Sequence, residues 1–144
     1  MDKVLVVDDE FILRDLMRTI LEEEGYSVIT ASNGEEALTK ADNERPDLII
    51  LDLMMPGKSG LEVCKILKSQ SETKHIPVVM ATALGREVDR TLTKAAGADA
   101  HFIKPFSALA LLTEVKHQLE SARELKPPSQ HERSLSLNSI PMSA

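Results

Sequence analysis

The sequence has 144 residues, a length that predicts one domain with a sizeable core. Aromatic residues make up 3% and the net charge is −6, which argues against a binder of nucleic acid, because such a protein needs a basic face and often aromatic stacking platforms. The single Cys64, the absence of a secretory signal and the absence of an apolar run near about 20 residues favour a cytoplasmic protein without a membrane partner.

Short apolar runs alternate with segments of helical periodicity along the chain. In chain order the pattern predicts strand 3–7, helix 11–24, strand 27–30, a helix that begins after residue 33 and breaks at 46, strand 47–51, helix 61–67, strand 78–82, helix 87–96, strand 100–103 and helix 107–121. Gly25 and Gly97 end helices, and Asn33 and Ser107 are suited to cap them, with Glu36 at capping-box distance from Asn33.

Five successive βα units predict an α/β fold with a doubly wound, five-stranded parallel sheet. The strands are continuous apolar runs, as is typical of a sheet covered on both faces. We expect the flavodoxin-like strand order 2-1-3-4-5. Residues 1–122 are expected to form this domain, and the Ser- and Pro-rich residues 123–144 a flexible tail too short for an output domain.

Polar side chains follow four of the predicted strands at one edge of the sheet. They are Asp8 and Asp9 after strand 1, Asp52 after strand 3, Thr82 at the end of strand 4 and Lys104 after strand 5. Ligands bind at this edge in open α/β sheets, so we expect the side chains to share one pocket. Two carboxylates 4 Å apart repel by about 4 kcal/mol at an effective dielectric of about 20. Raised pKa values or a bound cation must offset this repulsion, and an all-oxygen cluster suits Mg²⁺.

This group of side chains fits phosphoryl transfer to a carboxylate. Asp52 is the best candidate for the nucleophile because it lies between the acid pair and the residues of strands 4 and 5. The hydroxyl of Thr82 and the ammonium of Lys104 can bond phosphoryl oxygens.

Other functions of such a pocket stay open at this point. A Mg²⁺-dependent phosphatase or phosphotransferase with an Asp nucleophile usually has a general acid two residues on, where this chain has Met54. A nucleotide- or flavin-binding module would have a Gly-rich loop after strand 1, where this chain has Asp8, Asp9 and Glu10. A phosphate-independent binding module is the remaining alternative.

Four segments resemble the response-regulator receiver family, and the resemblance extends from residue 3 to about 121: VLVVDDE (4–10), DLIILDLMMPGKSGLEV (47–63), VVMATA (78–83) and GADAHFIKPF (97–106). The resemblance, closest in kind to single-domain receivers of the chemotaxis-regulator type, implies a signalling protein of a two-component system. It would take a phosphoryl group from a sensor histidine kinase or a histidine phosphotransferase, with Mg²⁺ as cofactor. Its only catalysis would be self-phosphorylation and slow self-dephosphorylation. A downstream target would read the face formed by helix 4, strand 5 and helix 5, and a homodimer could form on phosphorylation.

The resemblance also implies the roles of the acidic residues. Asp52 matches the phosphoacceptor. Asp8 and Asp9 match the acid pair that holds Mg²⁺, with Asp9 the more direct ligand. Met54 matches the position whose backbone carbonyl completes the metal site.

Roles are likewise implied for the residues around the acids. Thr82 matches the switch hydroxyl, and Lys104 the lysine that contacts the phosphoryl oxygens. His101 stands at the second switch position, where the family most often has Tyr or Phe, and its ring is titratable. Four residues match structural positions: Pro105, whose peptide bond is cis in the family, and Pro56, Gly57 and Gly60, which shape the loop after Asp52.

Several points are left open by the resemblance. The chain is an endpoint regulator that binds a separate target, a relay intermediate, or a fragment of a larger regulator. Met54 and Leu84, two residues after Asp52 and Thr82, are apolar and cannot orient an attacking water, so we expect slow self-dephosphorylation. Cys64 is expected in the core.

Overall fold

The computed structural model describes residues 1–82, 87–104 and 106–125. Within these residues strands and helices alternate: β1 (Lys3–Val7), α1 (Phe11–Glu23), β2 (Ser27–Ala31), α2 (Gly34–Glu44), β3 (Leu48–Asp52), α3 (Gly60–Ser69), β4 (Val78–Thr82), α4 (Glu87–Ala95), β5 (Ala100–Ile103) and α5 (Ala108–Leu125). The predicted βα alternation is confirmed. Pro105 and Leu84, for which the sequence suggested a cis bond and a part in phosphoryl lifetime, lie outside the described residues.

The five strands form one parallel sheet in the order β2-β1-β3-β4-β5, as predicted. The central strand β3 is buried along its whole length. Ile49 and Leu51 contribute to a core with residues of α2 and α3, whereas Leu48 and Ile50 contribute to a second core with residues of α1 and α5. Both faces of the sheet are therefore covered, which explains why its strands are continuous apolar runs.

The predicted cap of α2 is present. The side chain of Asn33 accepts a hydrogen bond from the N–H of Glu36 at 2.8 Å. The Glu36 carboxylate accepts from the N–H of Ser32 at 2.6 Å, one residue before the position that a capping box uses. At α5 the hydroxyl of Ser107 accepts from the N–H of Ala110 at 3.0 Å, as its sequence position suggested.

The boundaries of two elements near the predicted pocket, β3 and α3, differ from those predicted from the sequence. Asp52 is the last residue of β3 rather than the first residue after it. Helix α3 begins at Gly60 and ends at Ser69, whereas 61–67 was predicted. The earlier start has a physical cause, because the hydroxyl of Ser59 accepts from the N–H of Glu62 at 3.3 Å and caps the helix.

Helix α5 continues to Leu125, four residues beyond the predicted end at about 121. Residues 122–124 have adequate helix propensity, and Arg123 forms an ion pair with Asp2 at the start of the chain. The domain boundary after residue 122 stays a prediction, since 126–144 lie outside the described residues. None of the helices in the described part, α5 included, has the length and apolar character to cross a membrane.

Candidate functional site

Three carboxylates meet at the carboxyl edge of the sheet. Strands β1 and β3 are neighbours, and the pairing of Val7 with Leu51 brings Asp8 beside Asp52. Oxygen atoms of Asp8, Asp9 and Asp52 lie within 4.8 Å of one another. Asp8 is fully buried and Asp52 is 4% exposed, whereas Asp9 lies in solvent. The structure thus brings together the acids that the sequence suggested, in a site that is open on one side.

Lys104 connects this cluster to β4 and β5. Its ammonium lies 2.9 Å from Asp8 Oδ2 and 3.2 Å from Asp52 Oδ1, and its side chain is 13% exposed. Its backbone N–H donates to the carbonyl of Thr82 at 2.6 Å, which ties the end of β5 to the end of β4. One ammonium cannot neutralise three carboxylates, so the site keeps an excess of negative charge.

The charges in the pocket shift the protonation of its members. Burial raises the pKa of Asp52 to about 6, the charge of Asp8 adds to this, and Lys104 and the Met54 N–H oppose it. Burial lowers the pKa of Lys104, but its hydrogen bond to Asp8 and the charges of Asp52 and Asp8 outweigh burial and raise it overall. Lys104 therefore remains charged, while Asp52 is ionised at neutral pH at a cost in free energy.

The loop after β3 approaches the Asp52 backbone closely. A Cβ on Gly60 would overlap the carbonyl oxygen of Asp52, so only glycine fits there. Gly57 has φ 75°, in the left-handed region that favours glycine. The N–H of Met54 donates to Asp52 Oδ1 at 3.4 Å, and the Met54 side chain is 71% exposed. Gly57 and Gly60 thus occupy positions that favour or require glycine, and the suggested part of Pro56 in the loop stays a prediction.

The donor set of the pocket is suited to a hard divalent cation. All three side chains offer carboxylate oxygens, the atoms that Mg²⁺ and Ca²⁺ prefer. Asp8 Oδ1 accepts from the N–H of Glu10 at 2.9 Å and Asp8 Oδ2 accepts from Lys104, so both oxygens are engaged. The Asp9 carboxylate has no hydrogen-bonding partner within the described ranges. Asp9 is therefore the carboxylate most available to a cation, and the suggested Met54 carbonyl ligand stays a prediction.

The two suggested switch residues lie on β4 and β5, the two strands that follow β3 in the sheet. Thr82 ends β4, one residue beyond Ala81, the partner of Asp52 in the sheet, and is 1% exposed. His101 pairs with Met80 in the edge strand β5 and is half-buried. Thr82 is thus buried at the end of the strand next to that of Asp52, whereas His101 lies on the outer strand.

One contact of the site was not anticipated from the sequence. The guanidinium of Arg14, in the first turn of α1, donates from Nη1 to the backbone carbonyl of Asp8 at 2.7 Å. No motif or periodicity signals this bond, because it joins a helix side chain to a main-chain atom six residues earlier.

Comparison with known proteins agrees with this fold. Residues 4–116 match the response regulator receiver domain, and the chain belongs to that family.

Two transcriptional regulators are among the similar proteins. The alkaline phosphatase synthesis transcriptional regulatory protein PhoP of Bacillus subtilis is 46% identical over 128 residues, which cover 89% of this chain and 52% of PhoP. The phosphate regulon transcriptional regulatory protein PhoB of Rhizobium meliloti is 44% identical over 121 residues, covering 84% of this chain and 53% of PhoB. The chain thus spans about half the length of these relatives. Among solved structures, the chemotaxis protein CheY4 of Vibrio cholerae superposes with a TM-score of 0.79 at 38% identity, over 82% of this chain and 98% of that one.

Proposed function

We propose that this receiver domain accepts a phosphoryl group on Asp52 from a phosphohistidine of a sensor kinase or phosphotransferase in the cytoplasm, in a Mg²⁺-dependent reaction. The phosphorylated form would then bind a target protein through α4, β5 and α5. The observation that carries the proposal is the position of the Asp52 carboxylate, at the end of the central strand, 3.2 Å from the Lys104 ammonium and beside two further acids.

The proposed step transfers a phosphoryl group from an imidazole nitrogen of the donor to a carboxylate oxygen of Asp52. An ionised oxygen of Asp52 attacks the phosphorus, the P–N bond of the phosphohistidine breaks, and its electron pair stays on the imidazole nitrogen. The product is an acyl phosphate on Asp52. With a pKa of about 6, Asp52 is largely ionised at neutral pH and can act as the nucleophile without a separate base.

Positive charge must balance the negative charge that collects in the pocket. The Lys104 ammonium, already between Asp8 and Asp52, can bond the phosphoryl oxygens. The Thr82 hydroxyl is a second donor for these oxygens. Mg²⁺ would be held by Asp8, Asp9, Asp52 and the Met54 carbonyl, and when bound it would offset charge on the transferring phosphoryl group.

Phosphorylation would change the outer face of the domain through Thr82 and His101. The phosphoryl group adds about −1.5 to −2 charge, and Thr82 and Lys104 can both rearrange to bond it. Exposed apolar side chains on the proposed target face support a role in protein binding: Leu92 of α4 is 45% exposed, Ile103 of β5 40% and Leu109 of α5 75%. The acidic net charge favours a protein over nucleic acid as the direct partner of this segment.

The test is phosphorylation by a small acyl phosphate or phosphoramidate. The protein is incubated with the donor and Mg²⁺, and its intact mass is compared with that of Asp52→Ala and of Asp47→Ala, a matched acid at the opposite end of β3. We expect one phosphoryl group on the wild type and on Asp47→Ala, none on Asp52→Ala, and none when a chelator removes Mg²⁺. No addition to the wild type under any condition would instead indicate a phosphate-independent binding module.

A further inference from the structure

Every hydrogen-bonding group of Asp8 is engaged in the structure. Its N–H donates to the carbonyl of Ala31 at 3.2 Å, and its two carboxylate oxygens accept from Glu10 and Lys104. Its carbonyl oxygen accepts from Arg14 at 2.7 Å. The main chain at the end of β1 is therefore held in one orientation by separate contacts on each side.

The contact with Arg14 fixes more than one atom. A peptide unit is planar, so the carbonyl of Asp8 and the N–H of Asp9 move together as one rigid group. Holding that carbonyl fixes the plane of the peptide unit and with it the position of the Asp9 Cα, from which the Asp9 side chain leaves. Arg14 thus holds the main chain that carries Asp9 and makes no hydrogen bond to the Asp9 side chain itself.

Asp9 needs such control because its own carboxylate has no hydrogen-bonding partner in the part of the chain that the structure describes. The N-cap of α1, Glu10, makes no side-chain capping bond either, so the turn from Asp8 into α1 depends on main-chain contacts. The guanidinium of Arg14 is itself steadied, since it lies 5.5 Å from the centre of the Phe11 ring. Arg14 is also bound into the first turn by its N–H, which donates to the Glu10 carbonyl at 3.0 Å.

We propose that Arg14 is a positioning residue for the divalent cation site, which orients Asp9 through the carbonyl of Asp8. This inference rests on the proposed function, because it assumes that the acids bind Mg²⁺. Replacing a residue that holds a metal ligand in place without binding the metal itself commonly changes metal affinity by about 10- to 100-fold. We expect about a tenfold weaker binding of Mg²⁺ when the guanidinium is removed.

The direction of the change in Mg²⁺ affinity distinguishes a positioning role of Arg14 from a purely electrostatic effect of its charge. Arg14 is a cation near a cation site, so the loss of its charge alone would strengthen Mg²⁺ binding. A merely structural role would lower the stability of the fold but leave the affinity of the folded protein unchanged. Weaker binding by a folded variant is expected only if Arg14 positions the ligand.

The experiment is a calorimetric titration of the whole chain with MgCl₂. Wild type, Asp9→Asn, Arg14→Met and Arg18→Met are compared, after circular dichroism has established that each is folded. Arg18 is the matched control because it lies one turn further along α1 and pairs with Asp15 and Glu22 on the helix surface. Arg14→Gln, too short to reach the carbonyl, takes the place of Arg14→Met if the latter does not fold.

The inference predicts about a tenfold higher dissociation constant for the Arg14 variant and a change of less than about twofold for Arg18→Met. Phosphorylation of the Arg14 variant should then need more Mg²⁺ but reach nearly the wild-type rate at saturation. An Arg14 variant that binds Mg²⁺ as tightly as the wild type, or more tightly, overturns the inference alone. A wild type that binds no Mg²⁺, or binds it equally after Asp9→Asn, overturns the proposed cation site and with it the inference.

Discussion

Replacing Asp52 by Asn should stabilise the protein when no divalent cation is present. Burial, followed by the charge of Asp8, raises the pKa of Asp52 from 3.8 to about 6 despite the opposing effect of Lys104. At about 1.36 kcal/mol per pKa unit, this shift corresponds to about 3 kcal/mol of unfavourable free energy for folding with the ionised carboxylate. Solvent at the mouth of the pocket screens part of that, and we expect Asp52→Asn to raise the free energy of unfolding by about 1–2 kcal/mol.

The stability that Asp52→Asn gains over the wild type should increase with pH between about pH 4 and about pH 6. Below about pH 4 the Asp52 carboxyl is protonated in both the folded and the unfolded wild type, so wild type and variant should have similar stability. Between about pH 4 and about pH 6 only the unfolded chain releases the proton, and the wild type loses stability relative to the variant. Above about pH 6 both states are ionised and the difference stays constant.

The measurement is urea unfolding with a chelator at about pH 5 and about pH 8, followed by far-UV circular dichroism, because the chain has one Tyr and no Trp. The control is Asp42→Asn, the same chemical change on a side chain that is 62% exposed, for which we expect a change within about 0.5 kcal/mol. An Asp52→Asn protein no more stable than the wild type at about pH 8 would refute the electrostatic reasoning.

Four further predictions follow from the structure. Lys104→Met leaves two buried carboxylates without their ammonium and should lower the free energy of unfolding by about 2–4 kcal/mol in urea titrations with chelator; a loss below about 0.5 kcal/mol would contradict this. Cys64 is fully buried and burial raises the pKa of its thiol to about 11, so a thiol reagent should label it only in urea, and rapid labelling of the folded protein would be inconsistent with the packing. His101→Ala should alter the affinity of the phosphorylated form for its target in a binding titration, and an unchanged affinity would exclude a switch role. Because Met54 is apolar, the phosphorylated protein should lose its label slowly in a filter assay, whereas loss within seconds would show that another group orients the attacking water.

Much of the fold could be predicted because its signals are local. The strands are short apolar runs bounded by Gly, Pro and helical segments, and parallel strands in successive βα units allow few topologies. The meeting of Asp8, Asp9 and Asp52 follows from that topology, since side chains after neighbouring strands must share an edge. The cap by Asn33 is likewise a contact between residues three apart.

Features that depend on three-dimensional contacts were missed. The periodicity of apolar residues places the start of α3 at residue 61, yet Gly60 begins the helix, at a position where any Cβ would overlap the Asp52 carbonyl. The last turn of α5 was missed because the composition changes near residue 122, whereas Arg123 pairs with Asp2 at the far end of the sequence. The contact of Arg14 cannot be read from the sequence, because its bond to the Asp8 carbonyl follows no sequence pattern.

The most direct test of the account identifies the residue that carries the phosphoryl group. The phosphorylated protein is reduced with borohydride, which converts the acyl phosphate of an aspartate to homoserine, and its peptides are then sequenced by mass spectrometry. We expect homoserine at position 52 alone, formed only when Mg²⁺ was present during phosphorylation. Homoserine at position 8 or 9, or phosphate retained on a hydroxyl or an imidazole with residue 52 unchanged, would contradict it.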